Sequence, residues 1–202
     1  WYGLTQIIKP KEGDTIAVSA ASGAVGGVVG QLAKARGCRV IGIAGGKEKC
    51  SYVIDELGFD ACIDHKTHGN VKAMSAALKA ACPQGIDGYF ENVGGYILDA
   101  VMIRMNAFGR IAVCGMIAGY NGEPVPMAHP SLILVSRLKM QGFIVSEHMD
   151  LWPQALKELG TKVSSGQLKY RETISHGLAS APEAFLGLLK GKNFGKQLVQ
   201  LV

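Results

Sequence analysis

No apolar stretch in the 202 residues approaches the roughly 18 uninterrupted positions of a membrane span, so no membrane helix is expected. Paired cysteines are also lacking. Cys38, Cys50, Cys62, Cys82 and Cys114 are an odd number, and none forms a CxxC pair. This argues against a disulfide framework and a cysteine-built zinc site, and for a reducing, cytoplasmic compartment. The five histidines, His65, His68, His129, His148 and His176, form no HExxH or Cys–His cluster, so no metal site is expected. There is no GxSxG elbow. Charge is sparse, with 21 basic against 16 acidic residues and a net charge of +5. That balance excludes an acidic disordered activator and a strongly basic nucleic-acid arm. No signal peptide opens the chain. No initiating Met does either: the chain starts on apolar residues at Trp1 and reads as a piece of something longer.

Glycine is abundant, at 27 residues, about twice the usual share of ~7%. The excess calls for tight turns and close backbone approaches. The length suits one domain that buries roughly 70% of its unfolded surface. Short β-branched or apolar runs at 15–19, 39–43, 61–64, 86–91 and 110–114 read as strands. Helical spacing is expected over 24–36, 48–57, 70–81 with Asn70 as cap, and 96–105. Strands separated by helices of this length predict a parallel sheet covered on both faces, the doubly wound Rossmann-like α/β class. The second half is less regular. Residues 115–130 read as a loop, 132–138 are ambiguous, and 140–145 read as a strand. Helices are expected at 151–164 and, after Ser180 as N-cap, at 182–189. An extended piece at 168–174 and a terminal strand at 196–202 complete the reading.

The strongest local signal is AASGAVGG at 20–27, between a strand and a helix. Ala21, Gly23 and Gly26 occupy the three positions of a GxGxxG fingerprint, with Ala in the first. Gly23 lets the backbone approach a pyrophosphate, and Gly26 lets helix and strand pack closely. Free N–H groups near Ala24 and Val25 would receive phosphate charge. The competing reading is a plain tight turn. The second strand ends in Ala44, Gly45 and Gly46, followed by Lys47, where an NAD site usually carries an acid. A lysine there suits a 2′-phosphate, with Lys49 as a second candidate, and favours NADP over NAD. A solvated lysine pair is the alternative.

These residues resemble the zinc-independent medium-chain dehydrogenases/reductases, in particular the alkenal double-bond reductases of the prostaglandin reductase and leukotriene hydroxydehydrogenase type. The resemblance is carried by VSAASGAVG at 18–26, GQLAKARGCRVIGIAG at 30–45, EKC at 48–50, ELGFDA at 56–61 and YFENVGG at 89–95. GRIAVCGMI at 109–117, MQGFIV at 140–145 and GKNFGKQLV at 191–199 extend it over nearly the whole chain. It implies NADPH-dependent reduction of a C=C bond conjugated to a carbonyl in an enone, alkenal or quinone. It implies cofactor contacts from Ser22, Gly23, Ala24, Val25 and Gly26, and places the 2′-phosphate at Lys47. His65 stands where the family has a tyrosine, a departure that would make cofactor affinity pH-sensitive. Asn92 and Gly94 would lie beside the cofactor, with Cys114, Gly115 and Met116 at its ribose or nicotinamide end. Phe143, Ile144 and Val145 would bracket the nicotinamide, and Asn193 would bond near its carboxamide or ribose. Plain packing is the alternative for Cys114 and Phe143, and a simple turn for NVGG at 92–95.

The resemblance also implies a preceding GroES-like domain that this chain lacks. Residues 1–202 are then the NADP-binding domain with the family's C-terminal segment, able to bind cofactor but holding half of an active cleft. No residue stands out as a catalytic acid. A homodimer is expected, pairing through the apolar 132–138 and 140–145 segments. The rival functions are a quinone oxidoreductase, a non-catalytic nucleotide-binding protein, and an S-adenosylmethionine-dependent transferase. The acid-free second strand argues against the last.

Overall fold

Six strands pair in parallel in a computed structural model that describes residues 1–122 and 124–202. They are β1 (Thr15–Ser19), β2 (Arg39–Ala44), β3 (Ala61–Asp64), β4 (Ile86–Glu91), β5 (Met105–Val113) and β6 (Lys139–Gly142), in the order β3-β2-β1-β4-β5-β6. This is the doubly wound order, whose direction of growth reverses between β1 and β4. The central strands are apolar throughout because helices cover both faces: all five residues of β1 are buried. α1 (Gly26–Lys34) and α2 (Lys47–Asp55) pack Val29, Leu32 and Val53 on one face with Phe59. α3 (Val71–Ala81) and α4 (Gly95–Met102) pack Met74, Leu78, Leu98 and Met102 on the other. Asn70 caps α3 as expected, accepting the Ala73 N–H at 2.9 Å.

α5 (Ser131–Val135) resolves the ambiguous 132–138 stretch as a short helix. α6 (Trp152–Ser164) and α7 (Ala181–Leu189) follow, and β7 (Glu172–His176) pairs in parallel with β8 (Lys196–Gln200) as a separate ribbon. Several boundaries differ from the sequence expectation. α4 stops at Met102, and Met105 already pairs with Ile86, so β5 begins five residues before the expected Arg110. The ladder then skips from Met105 to Arg110, and Phe108 adopts φ +65° inside the bulge. Ser180 is no cap: its own backbone is helical, and its hydroxyl donates to the Gly177 carbonyl at 2.8 Å. The extended piece begins at Glu172 rather than Leu168, because Gln31 holds both the N–H and the carbonyl of Lys169.

Candidate functional site

A cleft of about 600 Å³ opens at the carboxyl ends of β1, β2 and β4, at the reversal point of the strand order. Open α/β sheets bind ligands at this place. Its floor is the glycine turn. α1 starts at Gly26, two residues later than the spacing predicts, because residues 24 and 25 form a turn. No side chain caps this helix, and its first turn holds no acid. Among the described residues, the Ala24 and Val25 N–H groups meet no protein acceptor. A bare helix start of this kind is poised for an anion. The close approach requires glycine at 26: a β carbon there would run into the Ala20 carbonyl.

One wall stands at the end of β2. Gly45 lies under the His65 ring, with Lys66 beside it, and Lys49 reaches in from the first turn of α2. Burial, then the neighbouring Lys66, lowers the Lys49 pKa below the usual lysine range, with Glu48 acting against them. Burial likewise lowers the His65 imidazole. Asp64, at the end of β3, accepts the Gly46 and Lys66 N–H groups through Oδ1 at 2.8 and 2.9 Å. Burial pushes Asp64 up, but these two bonds, together with the neighbouring His65 and Lys66, outweigh it and hold the group below the usual carboxylate range. The cations of this wall are Lys49 and Lys66.

The opposite wall follows β4. Glu91 is fully buried, and its Oε1 accepts the Ser19 hydroxyl at 2.9 Å and the Val93 N–H. The Ser19 hydroxyl oxygen accepts the Asn92 N–H at 2.8 Å. This network holds Asn92 and Val93 at the cleft. Burial pushes Glu91 above the usual carboxylate range. Cys114 and Gly115 continue the wall, tied by their N–H groups to the Glu91 carbonyl at 2.9 and 3.1 Å. Desolvation raises the Cys114 thiol, which makes it a poor thiolate. Tyr120 closes this side, its hydroxyl oxygen accepting the Met116 N–H at 3.1 Å.

The cleft thus brings together Ser22, Gly23, Ala24, Val25, Gly26, His65, Asn92, Cys114, Gly115 and Asn193 of the sequence candidates. Lys47 is exposed and outside its walls; Lys49 and Lys66 hold the corresponding place. Gly94 is buried behind Met116, and neither lines the cleft. Phe143 packs near Tyr2 and Phe90 in the core, and Ile144 and Val145 stand exposed beyond the walls. Sequence reasoning missed Lys66 and Tyr120. The position of Lys66, just past the carboxyl end of β3, was a usable signal; Tyr120 sits in a loop with no period to read.

Among the described residues, no three His, Cys, Asp or Glu side chains gather where they could hold a metal ion. No described helix is long and apolar enough to cross a membrane. The family model "Zinc-binding dehydrogenase" matches residues 24–161. The 2-alkenal reductase (NADP(+)-dependent) of Nicotiana tabacum is 46% identical over 202 residues, covering 100% of this chain and 58% of the relative. The NADPH-dependent curcumin reductase of Escherichia coli is 43% identical over 208 residues, covering 100% of this chain and 59% of the relative. The crystal structure of CurA from Vibrio vulnificus in complex with NADPH superposes with a TM-score of 0.91 at 46% identity, over 100% of this chain and 60% of that one. The chain therefore spans about three fifths of the length of the curated relatives it matches. It belongs to the zinc-binding dehydrogenase family, in the zinc-independent medium-chain branch whose members include alkenal and curcumin reductases.

Proposed function

We propose that the chain is the NADPH-binding part of an oxidoreductase that reduces the C=C bond of α,β-unsaturated aldehydes or ketones. The observation that carries this reading is the cleft itself: bare N–H groups at the start of α1 and a wall where the Lys49 and Lys66 ammoniums flank the His65 ring stand on one continuous surface. The donor set fits a 2′-phosphorylated dinucleotide. Ala24 and Val25 N–H groups would receive the pyrophosphate, with Ser22, Gly23 and Gly26 shaping the approach. Lys49, with His65 and Lys66, would receive the 2′-phosphate; its place in the cleft supports it over Lys47. The end of β2, at Ala44, Gly45 and Gly46, carries no acid of the kind that usually holds a free ribose diol.

The nucleotide held there would supply, when bound and reduced, a hydride for the β carbon of the conjugated system. The chain's residues orient and exclude water. Asn92, Cys114, Gly115 and Asn193 would hold the ribose and nicotinamide end, and the tie between Asn92 and Ser19 keeps that wall rigid. Gly94 and Met116 would support it from behind. Phe143, Ile144 and Val145 would shape the approach to the nicotinamide. Reduction leaves an enolate that takes a proton at the α carbon, so charge on the carbonyl oxygen must be stabilised. Reaction also needs the acceptor carbon held roughly 3–3.5 Å from the donor.

The partners on this reading are an enone, alkenal or quinone and a second copy of the chain, in the cytoplasm. Exposed Leu134, Val135 and Ile144 near the β6 edge support pairing there. Calorimetry with NADPH and NADH tests the cofactor. Equal affinities would sink the reading. On the protein extended to its relatives' full length, NADPH consumption with a 2-alkenal should yield the saturated carbonyl; an allylic alcohol would overturn the double-bond assignment.

A further inference from the structure

Residues 190–195 cross the glycine turn as a strap, bending at Gly191 and Gly195, both at φ +64°. The strap is tied at three points. Gly195 donates its N–H to the Ser22 carbonyl at 3.1 Å, beside a bridge between Gly23 and Gly195. Phe194 donates its N–H to Thr173 Oγ1 at 2.9 Å, and its carbonyl accepts the Thr173 hydroxyl at 2.8 Å. The Phe194 ring meets Tyr52 edge-on at 4.9 Å and lies 4.2 Å from the Arg171 guanidinium carbon. The third tie differs in kind. Lys49 Nζ donates to the Gly191 carbonyl at 2.7 Å and stands 5.8 Å from the Phe194 ring centre.

Lys49 is thus both a cleft-wall cation and the residue that fastens the strap. An ammonium has three donors, and one is spent on Gly191. We propose that Lys49 is a latch: a phosphate held by its remaining donors fixes the same ammonium on the Gly191 carbonyl, so that a 2′-phosphorylated nucleotide tightens the strap already tied there and an unphosphorylated one does not. The inference rests on the NADPH reading above. Its physical basis is the bond itself: the half-buried ammonium already donates to Gly191, and partial burial together with Lys66 disfavours its charge. An incoming phosphate opposes both and immobilises the side chain. A charge-assisted bond is roughly twice as strong as a neutral one. The coupling is reciprocal, so a held strap strengthens 2′-phosphate binding by the factor by which the phosphate strengthens the strap. Leu188, Leu189 and Asn193, which line the cleft from this side, are the groups that a tighter strap would settle.

The reporters are the N–H groups of Gly191, Lys192 and Gly195, bonded to the carbonyls of Leu188, Gly187 and Ser22. Their hydrogen exchange is followed in the wild type, in Lys49→Met and in Lys66→Met. Each is measured free, with adenosine 2′,5′-bisphosphate and with adenosine 5′-monophosphate, at saturation set by calorimetry. The bisphosphate should slow strap exchange at least about fivefold beyond the monophosphate, the lower end of ordinary coupling between sites. Lys49→Met should speed exchange in the free protein and erase the difference between ligands. Lys66→Met should weaken the bisphosphate yet keep the strap response once saturated. A bound bisphosphate that leaves the wild-type strap as the monophosphate does overturns the latch and spares the cofactor reading. Failure of both NADPH and the bisphosphate to bind overturns that reading instead. The free-state arm still judges the latch then, and unchanged strap exchange in Lys49→Met rejects it.

Discussion

Asn92 at the end of β4 is tied twice to Ser19 at the end of β1: its side-chain nitrogen donates to the Ser19 carbonyl at 2.7 Å, and its N–H donates to Ser19 Oγ at 2.8 Å. These are the two strands between which the sheet reverses its order. The pair therefore clamps the edge on which the cleft is built. Ser19 is completely buried, and its hydroxyl also serves Glu91. Ser19→Ala removes an acceptor from Asn92 and a donor from Glu91 at once. It should cost about 1–3 kcal/mol, the usual result of leaving buried polar groups unmet. Urea unfolding of the two proteins gives the difference, and NADPH affinity should fall with it.

Gly26 and Gly69 form a controlled pair. A β carbon at Gly26 meets Ala20 backbone that cannot step aside, whereas one at Gly69 meets nothing within 4 Å. Gly26→Ala should destabilise by about 1–3 kcal/mol, as overpacking does. Gly69→Ala should stay within about 0.5 kcal/mol of the wild type. Thermal unfolding of both variants would decide the point; equal midpoints would mean the turn has slack that its geometry does not show.

Cofactor choice should follow Lys49. NADPH is expected to bind at least about tenfold more tightly than NADH, or about 1.4 kcal/mol. Lys49→Ala should remove most of that preference, and the exposed Lys47→Ala much less. Calorimetric titration of both nucleotides against both variants separates the two lysines. The reverse ranking would return the 2′-phosphate to Lys47.

His65 gives that wall a pH dependence. Burial lowers its pKa, so the free protein holds it neutral at neutral pH, with Asp64, Lys66 and Lys49 as its charged neighbours. A bound phosphate favours the imidazolium and raises its pKa, so nucleotide binding takes up protons as the group titrates. NADPH affinity in the wild type should therefore gain relative to His65→Gln as pH falls from about 8 to about 6, the range over which histidine titrates. Parallel affinity curves for the two proteins would contradict this.

Glu91 has the opposite linkage to the surface acids. Burial raises its pKa above the unfolded value. The stability it contributes is full below the unfolded pKa and is lost as pH rises through the folded one. Asp60 is held low despite burial, because the Lys34 ammonium and the Val40 N–H both bond its carboxylate. Its contribution is present above the unfolded pKa and fades as pH falls through the folded one. Unfolding free energies across pH should show Glu91→Gln losing less stability than the wild type on the rising side. Asp60→Asn should flatten the acid side.

The amino-acid sequence alone determined the alternation of elements, the parallel sheet class, the glycine turn and the missing acid after β2, because each is a local signal. Apolar runs, helical periods and Gly26 are read within a few residues, and β1, β3 and β4 lie where those runs predict. Only the tertiary structure decided which lysine faces the cleft. Lys47 and Lys49 are two residues apart in α2, so roughly 200° separates them around a helix of 3.6 residues per turn. The rotation of α2 is set by Cys50, Tyr52 and Val53 sinking into the core, which leaves Lys47 outside and turns Lys49 inward. The strap was equally unreadable. Gly191 meets Lys49 across 142 positions of chain, and that meeting exists only because the β7–β8 ribbon docks its start beside the glycine turn.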